Sequence, residues 1–385
     1  MKTRLRDDAV QQWAAQRVLW LDNLKVGLIG LIIAIHAVLS YVGSDEWWTY
    51  ADVQETTLAP ATEVVFAVVF GPFGLFLIAL LFLVAGLMSE PSMRRKGPCR
   101  FARDRALRLG VPFLVVVGLV WPVLTYALYH PLGAAPGSFW AELTVDTGTL
   151  WFVGVLLIFS LGYAAVVALR GLPERPWPAG GIATRHLLLL VAAVGALTFV
   201  VRLVLPLGAE DPTDLNLWEW PACLGLFAVG VLAAPHGWAR EVPSEVRRHA
   251  RVLALIGLAA AAGLYAAVAA LDVDPATLLG GPTVAAAAFV TVEATLTVFG
   301  SVWLLGLAQA HLDRPLLPHG AALARAAYGA FLVQGPVLIG LALLLRPLDV
   351  PAEVKALTLV ATGVAASFGV AHLVVTRVPV LSRVL

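Results

Sequence analysis

Residues 187–207 read LLLLVAAVGALTFVVRLVLPL. The run holds one charge, Arg202, and shows no alternation of polar and apolar positions. About 20 apolar residues are what a helix needs to cross a bilayer. In lipid the backbone must satisfy its own hydrogen bonds, which leaves helices or closed barrels. Barrel strands alternate in polarity over about 10 residues, and this run does not, so it is read as a membrane helix. Composition extends the reading to the whole chain. Its 385 residues are 60% hydrophobic and 13% charged, against about 25% charged in soluble domains.

Ten windows of this kind occur, at residues 24–43, 66–88, 109–129, 150–169, 186–206, 217–234, 250–271, 283–307, 322–345 and 355–376. The expected fold is all-α and polytopic, with about ten transmembrane helices in a single domain over 1–385. The first stretch, 1–23, is polar and is expected to be a cytoplasmic segment, with no cleavable signal. The Ala/Gly-rich run LIGLAAAAGLYAAVAAL at 255–271 is expected to pack closely against a neighbour through its small residues. VQQWAAQRVLW at 10–20 suits a helix lying along the inner interface.

Orientation follows from Lys and Arg. With ten crossings, all but three of the 26 basic residues fall on one side, including the loop cluster Arg94, Arg95, Lys96, Arg100, Arg103, Arg105 and Arg108. The exceptions are Arg202, Arg346 and Lys355. The opposite loops are acidic (Asp45, Glu46, Asp52, Glu55, Glu142, Asp146, Glu210, Asp211, Asp214) and carry Trp47, Trp48, Trp151, Trp218 and Trp220 as an outer aromatic belt. Both termini are therefore expected in the cytoplasm, in a cell inner (plasma) membrane. Cys99 and Cys223 fall on opposite sides and cannot pair.

Ionisable groups inside a membrane are costly and mark functional candidates. Two lie at depth: His36 in the first helix and Glu293 in the eighth. Lys25 lies eleven residues before His36, within about 20° of the same helix face and about 16 Å away along the axis. Asp22 stands one turn before Lys25 and can pair with it. A cationic mouth suits a phosphorylated or carboxylated ligand, and an imidazole at depth suits proton transfer. Arg105 and Arg108 form R-x-x-R on one helix face, a spacing that can hold phosphate. The alternatives stay open: a positive-inside anchor at Lys25, a packing role for His36, a structural hydrogen-bond role for Glu293 or its pairing with His36, and lipid-headgroup contacts for the arginines. No histidine pairs with a carboxylate at metal-ligand spacing, and no G-x-S-x-G or nucleotide loop occurs. Neither a metal nor a nucleic-acid partner is indicated.

Together these residues resemble the membrane-bound acyltransferase-3 superfamily. The carriers are Asp22, Lys25 and His36 in LDNLKVGLIGLIIAIHA, Arg105, Arg108 and Pro112 in RDRALRLGVPF, and the phrases FLVAGLMSEP and LWFVGVLLIF. LDNLK is most like the glucan-succinylating branch. The resemblance implies an O-acyltransferase that uses cytoplasmic acyl-CoA as co-substrate. Its acceptor would be a carbohydrate or glycolipid hydroxyl reached from outside, with membrane lipids as surroundings. Lys25, Arg105 and Arg108 would bind the CoA phosphates, with Asp22 orienting Lys25. His36 would be general base or acyl carrier, with Glu293 as a second catalytic candidate. Tyr328 and Trp151 sit in family-like contexts. One departure is Gln334 in AYGAFLVQGPVL, where the family often has a histidine. A transporter of a small acid or glycolipid, and an assembly subunit, remain as competing readings.

Overall fold

A computed structural model describes residues 18–43, 50, 54–129, 146–174, 176–209, 211–316 and 319–377. The expectations for Trp47, Trp48, Asp45, Glu46, Asp52, Glu142, Glu210 and most of the N-terminal segment lie outside them. The described residues contain helices and no strand. Ten helices are long and apolar enough to cross a membrane: α1 Leu19–Leu39, α2 Pro60–Lys96, α3 Pro98–Ala127, α4 Gly148–Arg170, α5 Thr184–Arg202, α6 Leu217–His236, α7 Ser244–Ala270, α8 Val284–His311, α9 Gly320–Leu345 and α10 Ala352–Val374. The fold is an all-α polytopic bundle, as the hydropathy pattern requires.

α1 sits in a cluster with α8, α9 and α10, while α2 packs along α6 and α8. The closest approach is at Gly86 and Gly230. A Cβ on Gly86 would lie 2.2 Å from the carbonyl oxygen of Phe227, and one on Gly230 would lie 2.2 Å from that of Leu83. Small residues let backbones meet where no hydrophobic force between helices exists in lipid. α8 is hooked to α2 by Thr297 and Ser301, whose hydroxyls donate to the carbonyls of Leu75 and Phe76.

The small-residue run of α7 is not such a seam. Only 11% of the apolar window of α7 is covered by protein. The contacts it does make are at Ala250, Ala254 and Gly257, towards its cytoplasmic half. Within the run Gly257 lies against Leu296 of α8, while most of the alanines face outward, so composition alone overstated the tight contact.

The basic loop between the second and third helices is also corrected. α2 runs on through Arg94, Arg95 and Lys96 and stops at Gly97, and α3 starts at Pro98. Gly97 has φ of 73°, a conformation natural to glycine, and Pro98 suits a first helical position. Lys96 donates to Asp104 across this elbow at 2.5 Å, and Arg94 pairs with Glu90. The positive cluster is thus helical and internally braced.

Two of the three basic exceptions acquire a reason. Arg202 is 1% exposed and binds Glu293 through both ends of its guanidinium, at 2.5 and 2.7 Å. Lys355 is 3% exposed, donates to Glu55 at 2.6 Å and also reaches the carbonyl of Arg346. Two of the three are therefore paired charges inside the protein rather than loop charges. Trp218 likewise departs from the belt: it is buried, with the Arg202 guanidinium 6.0 Å from its ring centre.

Candidate active site

α1 carries the first part of the site. Its start is fastened to the α8–α9 connection, where the Asn23 amide donates to the carbonyls of Leu312 and Arg314, both at 2.8 Å. Next to this anchor, Lys25 and Asp22 form an ion pair at 3.2 Å. The Asp22 carboxylate is largely covered, while the Lys25 ammonium is half-exposed. The lysine is thus oriented yet open at the N-terminal end of α1.

His36 lies in the last turn of α1. The helix begins and ends earlier than the hydropathy window. Past Leu39 the chain tightens, with the N–H groups of Tyr41 and Val42 bonded to the carbonyls of Val38 and Leu39. Tyr41 then accepts from the Leu58 N–H. This reversal ends α1 inside the protein, one turn after His36.

The imidazole is held across the bundle by α9. His36 Nδ1 lies 3.2 Å from Gln334 Oε1. Gln334 is fully buried, and its Nε2 has no hydrogen-bond partner. The next residue, Gly335, lies against Trp121 of α3, where a Cβ would come within 2.5 Å of the indole. The expected pairing of His36 with Glu293 is not formed: both carboxylate oxygens of Glu293 are bonded to Arg202.

The arginine pair is built on α3. Arg105 is half-buried; its guanidinium stacks 5.1 Å from the Phe101 ring and donates to Ser89 Oγ of α2 at 3.2 Å. Arg108 is exposed and sits in a widened π-type turn, Ala106–Gly110. Such turns free backbone carbonyls and recur at functional sites. Here the Arg108 carbonyl accepts from the Tyr328 hydroxyl at 3.1 Å. Tyr328 and Gln334 are both on α9, about 9 Å apart along its axis. One helix therefore ties the arginine pair at one end to His36 at the other.

Sequence reading placed Asp22, Lys25, His36, Arg105, Arg108, Glu293 and Tyr328 in the site; the structure joins the first two to each other and Tyr328 to Arg108, and pairs Glu293 with Arg202 instead. Trp151 starts the regular part of α4 and is half-buried. The sequence reading missed three contacts: His36–Gln334, Arg105–Ser89 and Arg202–Glu293. Ser89 gives no signal of its own in sequence. Arg202 gave one: a cation within an apolar window demands an opposite charge, and Glu293 was the other group at depth.

The arrangement offers a cation near the N-terminal end of α1 and an imidazole about 16 Å further along the same helix face. Residues 18–376 match the family model described as "Acyltransferase domain", acyltransferase 3. No curated protein and no solved structure matched the chain. The match spans nearly all of the described bundle, and the chain belongs to the acyltransferase-3 family, as a multi-pass membrane acyltransferase.

Proposed function

We propose that the protein moves an acyl group of acetyl or succinyl type from cytoplasmic acyl-CoA to a hydroxyl of an extracytoplasmic or lipid-linked carbohydrate, in the cell inner membrane. The observation that carries this is the Lys25–His36 face of α1. A phosphorylated donor with a long flexible thioester arm matches a cationic mouth separated from a base by about 16 Å of helix. Arg105 and Arg108 supply further cationic groups near the same side of the membrane. Asp22 orients Lys25 through their ion pair.

In this reading His36 takes the proton of the acceptor hydroxyl as that oxygen attacks the thioester carbonyl. The C–S bond breaks, and the proton passes from His36 to the departing thiolate. The imidazole ends unchanged, so one residue serves as base and then acid. Its place in the last turn of α1, at the opposite end from Lys25, suits an acceptor arriving from the other side of the membrane. Glu293 is assigned to holding Arg202 rather than to the reaction, because both its oxygens are already bonded.

The test is calorimetric titration of purified protein in detergent with acetyl-CoA and succinyl-CoA, beside a Lys25→Ala/Arg105→Ala variant. Micromolar binding by the wild type, weakened at least tenfold in the variant, is the expected result. A folded wild type that binds neither donor overturns the acyl-CoA reading and brings forward transport of a small acid or glycolipid.

A further inference from the structure

Gln334 has two features that belong together. Its Oε1 is 3.2 Å from His36 Nδ1, and its Nε2, on the same amide carbon, is buried without a partner. Buried polar atoms without partners are rare and costly, and each one asks for an explanation. The neighbouring side chains do not supply an acceptor, although the residue is fully enclosed. An amide donor left open beside an imidazole has the chemistry of a group waiting for an oxygen.

The Oε1 contact also has a consequence for the imidazole. A carbonyl oxygen can only accept, so the proton on this side of the ring sits on Nδ1. In the neutral ring Nε2 then carries the lone pair. Glutamine does not titrate, so it holds this tautomer wherever the ring is neutral. A histidine at 334 could shift its own proton and lose the preference.

From this we infer that Gln334 does two jobs in the transfer: it fixes His36 in the Nδ1–H tautomer, and its Nε2 donates to the acyl carbonyl oxygen in the transition state. The inference rests on the acyl-transfer reading given above. The carbonyl, rather than the acceptor hydroxyl, is the fitting target. A donor on the attacking oxygen would weaken the nucleophile, whereas the carbonyl oxygen gains negative charge as the tetrahedral intermediate forms. The balance is complete within the two substrates. The hydroxyl proton goes to His36 Nε2, the new C–O bond forms, and charge gathers on the carbonyl oxygen at Gln334. The C–S bond then breaks, and the thiolate leaves with the proton. Gln334 acts as a positioning residue through Oε1 and as a catalytic residue through Nε2.

Two variants separate these jobs while keeping the volume of the site. Gln334→Glu retains an acceptor for Nδ1–H and lacks the amide donor. Gln334→Met lacks both. Nitrogen NMR of ¹⁵N-histidine-labelled protein, against a His36→Asn control that identifies the signal, reads the tautomer without any turnover. Steady-state kinetics with an acyl-CoA donor reads the donor role. The expected NMR result is a protonated Nδ1 and a lone-pair Nε2 in the wild type and in Gln334→Glu, and a tautomer mixture in Gln334→Met. The expected kinetic result is a 100- to 1,000-fold loss of kcat in both variants, with KM for the donor within about twofold. A wild-type ring protonated on Nε2 overturns the positioning role. Wild-type kcat in Gln334→Glu overturns the donor role. A wild type that transfers no acyl group from either CoA ester sinks the acyl-transfer reading and the donor role with it, while the tautomer signal still decides the positioning role.

Discussion

Arg202 and Glu293 lie 91 residues apart in sequence and face each other through two parallel hydrogen bonds, at 2.5 and 2.7 Å, with both side chains almost wholly enclosed. The rings of Trp218 and Phe289 flank the guanidinium at 6.0 and 5.9 Å. A fork matched to a carboxylate in this way fixes the register of α5 against α8. Removing one partner strands a charge, which typically costs about 3–5 kcal/mol. Glu293→Gln is therefore expected to lower the unfolding midpoint in detergent steeply. Arg202→Met/Glu293→Leu should recover most of that loss, since an apolar replacement of a whole pair is often neutral. The double variant should also retain acyl transfer in vesicles. A stable double variant without turnover would instead place Glu293 in the reaction.

The crossing of α2 and α6 gives a second expectation. Gly86→Ala or Gly230→Ala puts a methyl 2.2 Å from a backbone carbonyl oxygen of the other helix. Backbone cannot swing aside as a flexible side chain can, so the helices must separate. Overpacking of this kind costs about 1–3 kcal/mol. Gly263→Ala, with open space around its Cβ position, is the control and should be neutral. Thermal unfolding of the three variants in one detergent checks the ordering.

Lys355 and Glu55 predict an asymmetry. The lysine side chain is 3% exposed and the carboxylate side chain 17% exposed, and the Tyr50 hydroxyl also donates to Glu55. Lys355→Met leaves a carboxylate that keeps Tyr50 and some water. Glu55→Gln leaves an ammonium with only the Arg346 carbonyl and a weakened amide contact. The second change should cost more than the first, and both less than the strict loss at Arg202. Chemical denaturation of the two single variants and the double variant tests this as a cycle.

The loop between α5 and α6 predicts a pH effect with a definite sign. Burial pushes the Asp214 carboxyl above its usual range; Thr147 holds it down, and Asp146 and Asp211 push it further up. The folded protein then binds more protons than the unfolded chain once pH passes the ordinary Asp value, about 3.9. Stability from this residue falls as pH rises through that window. For Asp211 burial also pushes upward, but bonds from Thr213, Leu217 and Leu215 outweigh it and leave the carboxyl lowered. Its contribution is present above the ordinary value and fades as pH falls. Asp214→Asn should remove the decline on the alkaline side and leave the acid limb of Asp211. A melting curve measured from pH 3 to 7 reads both limbs.

The number and order of the helices were legible because length and apolarity alone define a span. Asp22–Lys25 was legible because an i,i+3 pair on one helix needs no knowledge of its neighbours. His36–Gln334 and Arg105–Ser89 were not, because each joins two helices whose rotation about their own axes the hydropathy does not specify. The same ignorance produced the overstated seam in α7: alanine and glycine permit close packing without requiring it. The cytoplasmic elbow at Gly97 was read as a loop because seven basic residues outweighed the helical spacing of their aliphatic neighbours. Arg202 was assigned to an outer loop although it lay inside its own apolar window.

The order of synthesis gives the Arg202–Glu293 pair a history. The chain emerges from its N-terminus at roughly 5–20 residues per second. With 91 residues between the partners, Arg202 waits roughly 5–18 s at that rate for its counter-charge to be made. During that interval the Arg202 guanidinium lacks its carboxylate fork, with Glu219 at the start of α6 in electrostatic reach. The two-pronged contact can therefore close only after α8 is made, and a ribosome pause between the two helices would lengthen the time for which an unfinished bundle is exposed to quality control.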